Sequence, residues 1–472
     1  MESGKVKFRV WKAVFHTRSP VRADTFRRAG FVLLLFMCVS FTFGQSTDNQ
    51  SNTDNIDDYL IKIAVISPGS EIYMWWGHIA LVVQNIRLNT VKLYNWGTFT
   101  YPGNSFIVDF INGRVRYMVS SGYIDVQELA AEGWEITAYT LDLDRKGKEA
   151  ALAYAENSVL PENRYYNYDE FRDNCSTRIR DLVNIGTGGQ FSAALTGSPI
   201  QITTPLPILP ISPLSVPLPA QLTIRQQIRR FTWFRPFSDW FLNLMMGQNF
   251  DRRMTPWEAM FLPAEVARNI NNFSYTDESG ATRKLVSGAE VFGSQKKGRP
   301  IPDVAPPAWP FAIIAGLAGG ALLVFFNTIR KKYRRLGIIL LGISQSLFGF
   351  FLGISGCILI LGLVLVKNEF TQHNINILFA NPVLLLAVPL GILSAMGYGE
   401  AVRHPSTKKR IRINPDIYLR ILWIYVLAAG CASMLIRITP YFFQQNQEAL
   451  CLILPIAFVC VLVNTKIIKR EV

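Results

Sequence analysis

Side chains able to do nucleophilic or metal chemistry are scarce in this sequence. Its 472 residues include six cysteines and four histidines. Cys38, Cys357, Cys431, Cys451 and Cys460 lie in apolar runs, where a thiol behaves as a small hydrophobe. Only Cys175 stands in the polar part of the chain, so that part has no second thiol for an intradomain disulfide. There is no CxxC pair, and Asp109, Asp251 and Glu258 lack metal-ligand spacing. No metal and no cofactor is therefore expected. The net charge of +14 does not read as a nucleic-acid footprint. Lys and Arg cluster before Phe31, around Arg330 to Arg335, around Lys408 to Arg412 and at the C-terminus, each time beside an apolar run. That is the pattern of cytoplasmic flanks of membrane spans.

What the chain has in quantity is apolar length. Half of its residues are hydrophobic, and its mean hydropathy is +0.20. The excess collects in a short N-terminal run and after about residue 308, as membrane segments would. Residues 1–44, basic and then apolar, read as a signal peptide or signal anchor, and 45–58 as a disordered polar linker. Residues 59–196 read as a catalytic α+β domain. Residues 197–307 form a connecting region. It is proline-rich at first, then basic and aromatic over Leu222–Met246, a stretch expected to be an amphipathic helix. That helix either lies on a membrane surface or packs on the domain. Residues 308–466 contain five candidate spans, near 308–326, 336–366, 377–397, 418–436 and 449–464. With the α+β domain outside the cytoplasmic membrane, every basic cluster falls inside.

Within the α+β domain, strands are expected at Tyr59–Ser67, His78–Gln84, Val91–Trp96 and Trp134–Asp142, and a helix at Arg145–Leu160. The informative stretch is Tyr165 to Val183. It begins extended, passes the N-cap residues Asp173 and Asn174, and continues with helical spacing through Cys175, Ile179, Leu182 and Val183. Cys175 thus falls in a first helical turn, where the amide dipoles favour a thiolate. Of the histidines, only His78 and His373 share its side of the membrane. A strand-borne His78 facing Cys175 would supply a general base. Asn95 on the neighbouring strand is the candidate orienting residue, or else simply a turn residue before Gly97. The Cys175 amide is a candidate oxyanion donor. Arg178 is either a phosphate ligand or the partner of Asp181 one turn on. His373 and Asn376, at the outer end of a span, are candidate lipid-site residues or ordinary interfacial ones.

Five segments share a further likeness: Trp76-Gly77-His78, Tyr94-Asn95-Trp96-Gly97-Thr98-Phe99, Asp173-Asn174-Cys175-Ser176-Thr177-Arg178-Ile179-Arg180-Asp181, Met260-Phe261-Leu262-Pro263, and His373 with Asn376, Asn381 and Pro382. In kind and order they resemble the bacterial lipoprotein N-acyltransferase family Lnb, over most of the chain from about Asp57. Trp96 and Ser176 depart mildly from the commoner residues at those places. The resemblance implies a permuted papain-like (NlpC/P60-like) extracytoplasmic domain followed by an all-α multi-pass membrane domain. It implies that Cys175 carries an acyl group and that His78 is its base. The partners implied are a phospholipid acyl donor and a diacylated lipoprotein, at the inner membrane with the site facing the periplasm. A cysteine hydrolase of the same fold, cutting a peptidoglycan amide or a lipid ester, is the first alternative. A non-enzymatic envelope binding protein is the second.

Overall fold

The computed structural model describes residues 55–70, 72–99, 116–123, 135–197, 220–293, 300–365, 372–398, 414–437 and 442–468, with three two-residue pieces between 201 and 216. The expected signal segment, most of the linker, His16, Cys38, Asp109 and His404 lie outside these residues.

Alternating apolar and polar positions build a seven-stranded antiparallel sheet. Its strands are β1 (Tyr59–Ile66), β2 (His78–Asn85), β3 (Thr90–Phe99), β4 (Arg116–Tyr123), β5 (Ile136–Leu141), β6 (Tyr165–Asn167) and β7 (Val286–Phe292). The spatial order is β7-β5-β1-β2-β3-β4-β6. Helices α1 (Arg145–Ser158) and α2 (Cys175–Gly186) pack together, and α2 lies against β2 and β3. Ile61, Ile63, Ile79, Leu81 and Trp96 from the sheet meet Ile179, Leu182 and Val183 of α2 in one buried core. Strand β7 shows that this sheet draws on sequence well past residue 196. It pairs with β5 across a bulge between Val286 and Gly288.

The stretch Leu222–Met246 is not one helix. It forms α3 (Ile224–Arg229) and α4 (Pro236–Met245), parted by a turn at Thr232–Arg235. Nor do its arginines face a membrane. The Arg225 guanidinium is buried on both Asp251 oxygens, at 2.7 and 3.0 Å, and on the carbonyls of Asn243, Met246 and Gly247. Arg229 pairs with Asp239 at 3.0 Å and Glu448 at 3.5 Å, and Arg230 pairs with Glu265. An apolar cluster of Ile224, Ile228, Phe231, Phe250 and Phe261 fills the space between, with Trp76 and Phe171 packed onto it. Helix α5 (Pro263–Asn272) follows and packs on α2 and β1.

Beyond this module, the described residues contain five helical segments long and apolar enough to cross a membrane. They are α6 (Trp309–Lys332), α7 (Arg334–Leu365), a broken segment over Ile375–Ala395, α9 (Pro415–Ile436) and α10 (Gln447–Ile468). The broken segment starts with two 3-10 turns, Ile375–Leu378 and Pro382–Leu386, before helix α8 (Ala387–Ala395). Asn381 caps the second turn and Pro382 opens it, so the pair sets the break. Gly342, Ser346, Gly349, Gly353 and Gly356 make α7 small on one side, and the segment through Pro382–Ala395 packs there. Buried amides tie the bundle together. Gln345 Oε1 accepts from Trp423 Nε1 at 2.9 Å and from Asn464 Nδ2 at 2.8 Å.

Candidate active site

Asn174 is the N-cap of α2. Its Oδ1 accepts from the amides of Ser176 and Thr177 at 2.8 and 2.9 Å, and Thr177 Oγ1 accepts in return from the Asn174 amide at 2.8 Å. This closed capping box holds Cys175 as the first residue of the helix. Asn174 Nδ2 is itself anchored on Phe261 O at 2.9 Å, so the turn is tied to the module after residue 220. The first-turn amides are thus taken up, except one. The Cys175 N–H meets no acceptor among the described residues.

His78 opens β2, whose Ile79, Leu81 and Val83 are buried in the core below. His78 Nε2 lies 2.8 Å from Asn95 Oδ1. The carbonyl oxygen accepts, so Nε2 carries a proton and Nδ1 is left for the Cys175 thiol, whose charge acts on the imidazole. Strands β2 and β3 pair with Leu81 opposite Tyr94. Continued, that register sets Ala80 opposite Asn95 and His78 opposite Gly97. Asn95 is therefore a diagonal, same-face neighbour of His78.

Gly97 makes the third contact. It is the extra residue of a bulge between β3 and β4, and its φ is +110°. A Cβ placed there would stand 3.6 Å from His78 Cε1 and 3.7 Å from Cys175 Cβ. The glycine leaves open the space over the thiol and imidazole.

The electrostatics follow from this packing. Burial pushes the Cys175 thiol up, but the His78 charge and hydrogen bond, helped by Ser176 and the Ile79 amide, outweigh it and hold the thiol below its ordinary value. Burial pulls the His78 imidazole down, and Cys175 with Asn95 more than restores it, so it sits above its ordinary value. Both directions favour a thiolate–imidazolium pair. Three phenols lie within electrostatic reach of the sulfur: Tyr117, Tyr166 and Tyr168. Burial raises each one, and the negative Cys175 adds to it; Tyr117 reaches about 12. They remain protonated donors at neutral pH. The run Tyr165-Tyr166-Asn167-Tyr168 announced aromatic character, but nothing local pointed Tyr117 toward the sulfur.

The structure brings Cys175, His78 and Asn95 together and uses the other candidates differently. Arg178 is held bidentate on Asp173, at 2.5 and 2.8 Å, rather than on Asp181; Asp181 instead pairs with Arg180 at 2.8 Å. Its guanidinium also lies over the Tyr166 ring, so it is neutralised and not presented to a phosphate. Asn376 is fully buried, donating to Leu244 O at 2.8 Å and accepting from Asn446 at 3.0 Å. It clamps α4 to the bundle and does not line the thiol site. His373 is exposed with φ +57°, and its carbonyl accepts from the Gln248 amide. No hydrogen bond joins it to Cys175, His78 or Asn95 among the described residues. Among those residues no cluster of His, Cys, Asp and Glu has the makings of a metal site.

An antiparallel α+β domain that gathers a thiol, an imidazole and an amide, followed by a bundle of helices long and apolar enough to cross a membrane, defines the class: a membrane protein with an α+β domain in which the histidine precedes the cysteine. Residues 46–206 match the family described as the Lnb N-terminal periplasmic domain. The chain therefore carries an Lnb periplasmic domain followed by membrane helices, an order consistent with the Lnb family. The matched stretch contains Cys175, His78, Asn95 and Gly97. No curated protein and no solved structure matches the chain.

Proposed function

We propose that this protein is a lipoprotein N-acyltransferase of the inner membrane, with Cys175 as nucleophile, His78 as general base and acid, and Asn95 as the residue that orients the imidazole. The observation that carries this reading is the gathering of Cys175, His78 and Asn95 at one point, with His78 bonded to Asn95 and both Cys175 and His78 against Gly97, in a chain whose α4 is clamped to a bundle of apolar helices.

The Cys175 thiolate attacks a phospholipid ester carbonyl. The carbonyl oxygen takes up the electron pair, and the unengaged Cys175 N–H is placed to donate to it. As the C–O bond breaks, the imidazolium gives its proton to the departing alkoxide, and a lysophospholipid leaves. The α-amine of a diacylglyceryl-cysteine lipoprotein then attacks the thioester. His78 takes the amine's proton, the C–S bond breaks, and an amide forms with the thiolate restored. One hard exchange becomes two easier ones. Both substrates reside in one leaflet, which suits an enzyme fixed to that membrane.

The test is complementation of a bacterial strain lacking lipoprotein N-acylation, read by mass spectrometry of a lipoprotein N-terminus. Wild type is expected to restore the third acyl chain, and Cys175→Ala to leave the diacyl form. Free fatty acid released with no change at the lipoprotein would assign a hydrolase instead.

A further inference from the structure

Helix α4 is amphipathic in the sense opposite to that of a helix in water. Its polar residues Asp239 and Asn243, one turn apart, are 1 % and 5 % exposed and are held by Arg229 and Arg225. On the other side Phe237 is 87 % exposed and Phe241 46 %, with Leu244 continuing the same stripe. Trp233, just ahead of the helix, is 39 % exposed. Surfaces bathed by water seldom carry such a stripe while burying the helix's carboxylate and amide.

The stripe is continuous with the membrane bundle. Leu244 and Met245 pack onto the bundle's apolar core, α4 lies against α10, and Asn374 Nδ2 donates to Leu244 O at 3.0 Å and to Met245 O at 2.9 Å. The exposed phenylalanines thus run outward from the edge of the bundle, at the end where the α+β domain sits. The other end of α4 reaches the stretch of chain ahead of His78. Arg235, its N-cap, donates to Ser70 O at 3.1 Å and Gly69 O at 3.2 Å and stacks on Trp75 at 4.3 Å. These residues belong to the segment that leads into His78, and that segment exposes Ile72 and Tyr73 as well.

We propose that α4 lies in the boundary between headgroups and acyl chains of the leaflet facing the α+β domain. Phe237 and Phe241 insert among the phospholipid chains, and through Arg235 this seating fixes the height of the His78–Cys175 site over the acyl donor. Hydrocarbon is the occupant the pattern fits, since it rewards exposed phenylalanine and leaves buried ion pairs undisturbed. The second half of the proposal rests on the acyl-transfer reading; the first does not.

The test uses the full chain in phosphatidylethanolamine/phosphatidylglycerol nanodiscs. p-Benzoylphenylalanine replaces Phe237 or Phe241, and Tyr123, an exposed β4 residue, in the control. After irradiation, phospholipid adducts are expected at both helix positions at least tenfold above the Tyr123 level. Adduct yields no higher than at Tyr123, or cross-links to protein alone, would overturn the insertion. In the same discs, the double variant Phe237→Asp/Phe241→Asp is expected to slow acylation of Cys175 by bilayer phospholipid at least tenfold while leaving its alkylation by iodoacetamide unchanged. An unchanged acylation rate would overturn the role in setting height. Lipid adducts with no acylation even in the wild type would sink the acyl-transfer reading and leave the inserted surface standing.

Discussion

Asn95 Oδ1 lies 2.8 Å from His78 Nε2, and that single bond decides which imidazole nitrogen faces Cys175. Removing it by Asn95→Ala frees the ring to turn and withdraws one of the interactions that hold the His78 pKa up. The rate of acyl transfer should fall by about 10- to 100-fold, less than for loss of the base itself, for which about 10²- to 10⁴-fold is usual. A pH–rate profile separates this from general damage. The alkaline limb, where the imidazolium loses its proton, should move to lower pH in Asn95→Ala. A limb that stays in place would show that Asn95 does not act on the imidazole.

The thiolate–imidazolium pair has its own signature in alkylation. Cys175 is held below its ordinary value by His78 against the opposing effect of burial. Its iodoacetamide reactivity should therefore have a midpoint below the ordinary thiol value of about 8.5. In His78→Asn the opposing burial is left uncompensated, so the midpoint should rise above the wild-type one. The sign is the test: an unchanged or lower midpoint in the variant contradicts the pairing.

Gly97→Ala should damage activity more than folding. A methyl at Gly97 finds ordinary contact distances, 3.6 and 3.7 Å, so no clash unfolds the chain. It does fill the opening over the thiol, and it must adopt a φ of +110°, a strain of about 1–3 kcal/mol. We expect acyl transfer to fall at least tenfold with a melting temperature lowered by several degrees. Full activity in Gly97→Ala would mean that substrate does not approach from this side.

The buried arginines are structural. Arg225→Ala leaves Asp251 charged and unpaired in the interior, a loss of about 3–5 kcal/mol. Arg225→Met with Asp251→Leu removes both charges and should recover much of that loss, although the Gln445 amide loses its acceptor on Asp251. Thermal melts of the three proteins in detergent decide it. A double variant no more stable than Arg225→Ala would show that the hydrogen bonds, and not the stranded charge, carry the stability.

Much of the site was legible because it is local. N-cap residues followed by helical spacing placed Cys175 in a first turn, and an apolar strand placed His78 at its start. The neighbouring strand then suggested Asn95. What the sequence hid depends on contacts distant in the chain. Nothing near Val286–Phe292 announces that it closes a sheet begun at Tyr59, or that the Asn174 amide leans on Phe261. The arginines of Leu222–Met246 left a membrane-surface helix and a packed one equally open, because partners such as Asp251, Glu265 and Glu448 lie 26 or more residues away. With those partners in place the basic face turns inward, and the aromatic residues are the ones left outside. The bulge at Gly97 was hidden for the same reason, since it exists only against β4.

Acyl transfer by this route requires Cys175 to carry an acyl chain, and intact-peptide mass spectrometry tests that most directly. The full chain is incubated with phosphatidylethanolamine in nanodiscs, quenched in acid and digested. The Cys175 peptide should gain the mass of one acyl group, lose it to neutral hydroxylamine, and pass it to the N-terminus of an added diacylglyceryl-cysteine peptide. An acyl group found on another residue, or lipoprotein N-acylation that persists in Cys175→Ala, would contradict the account.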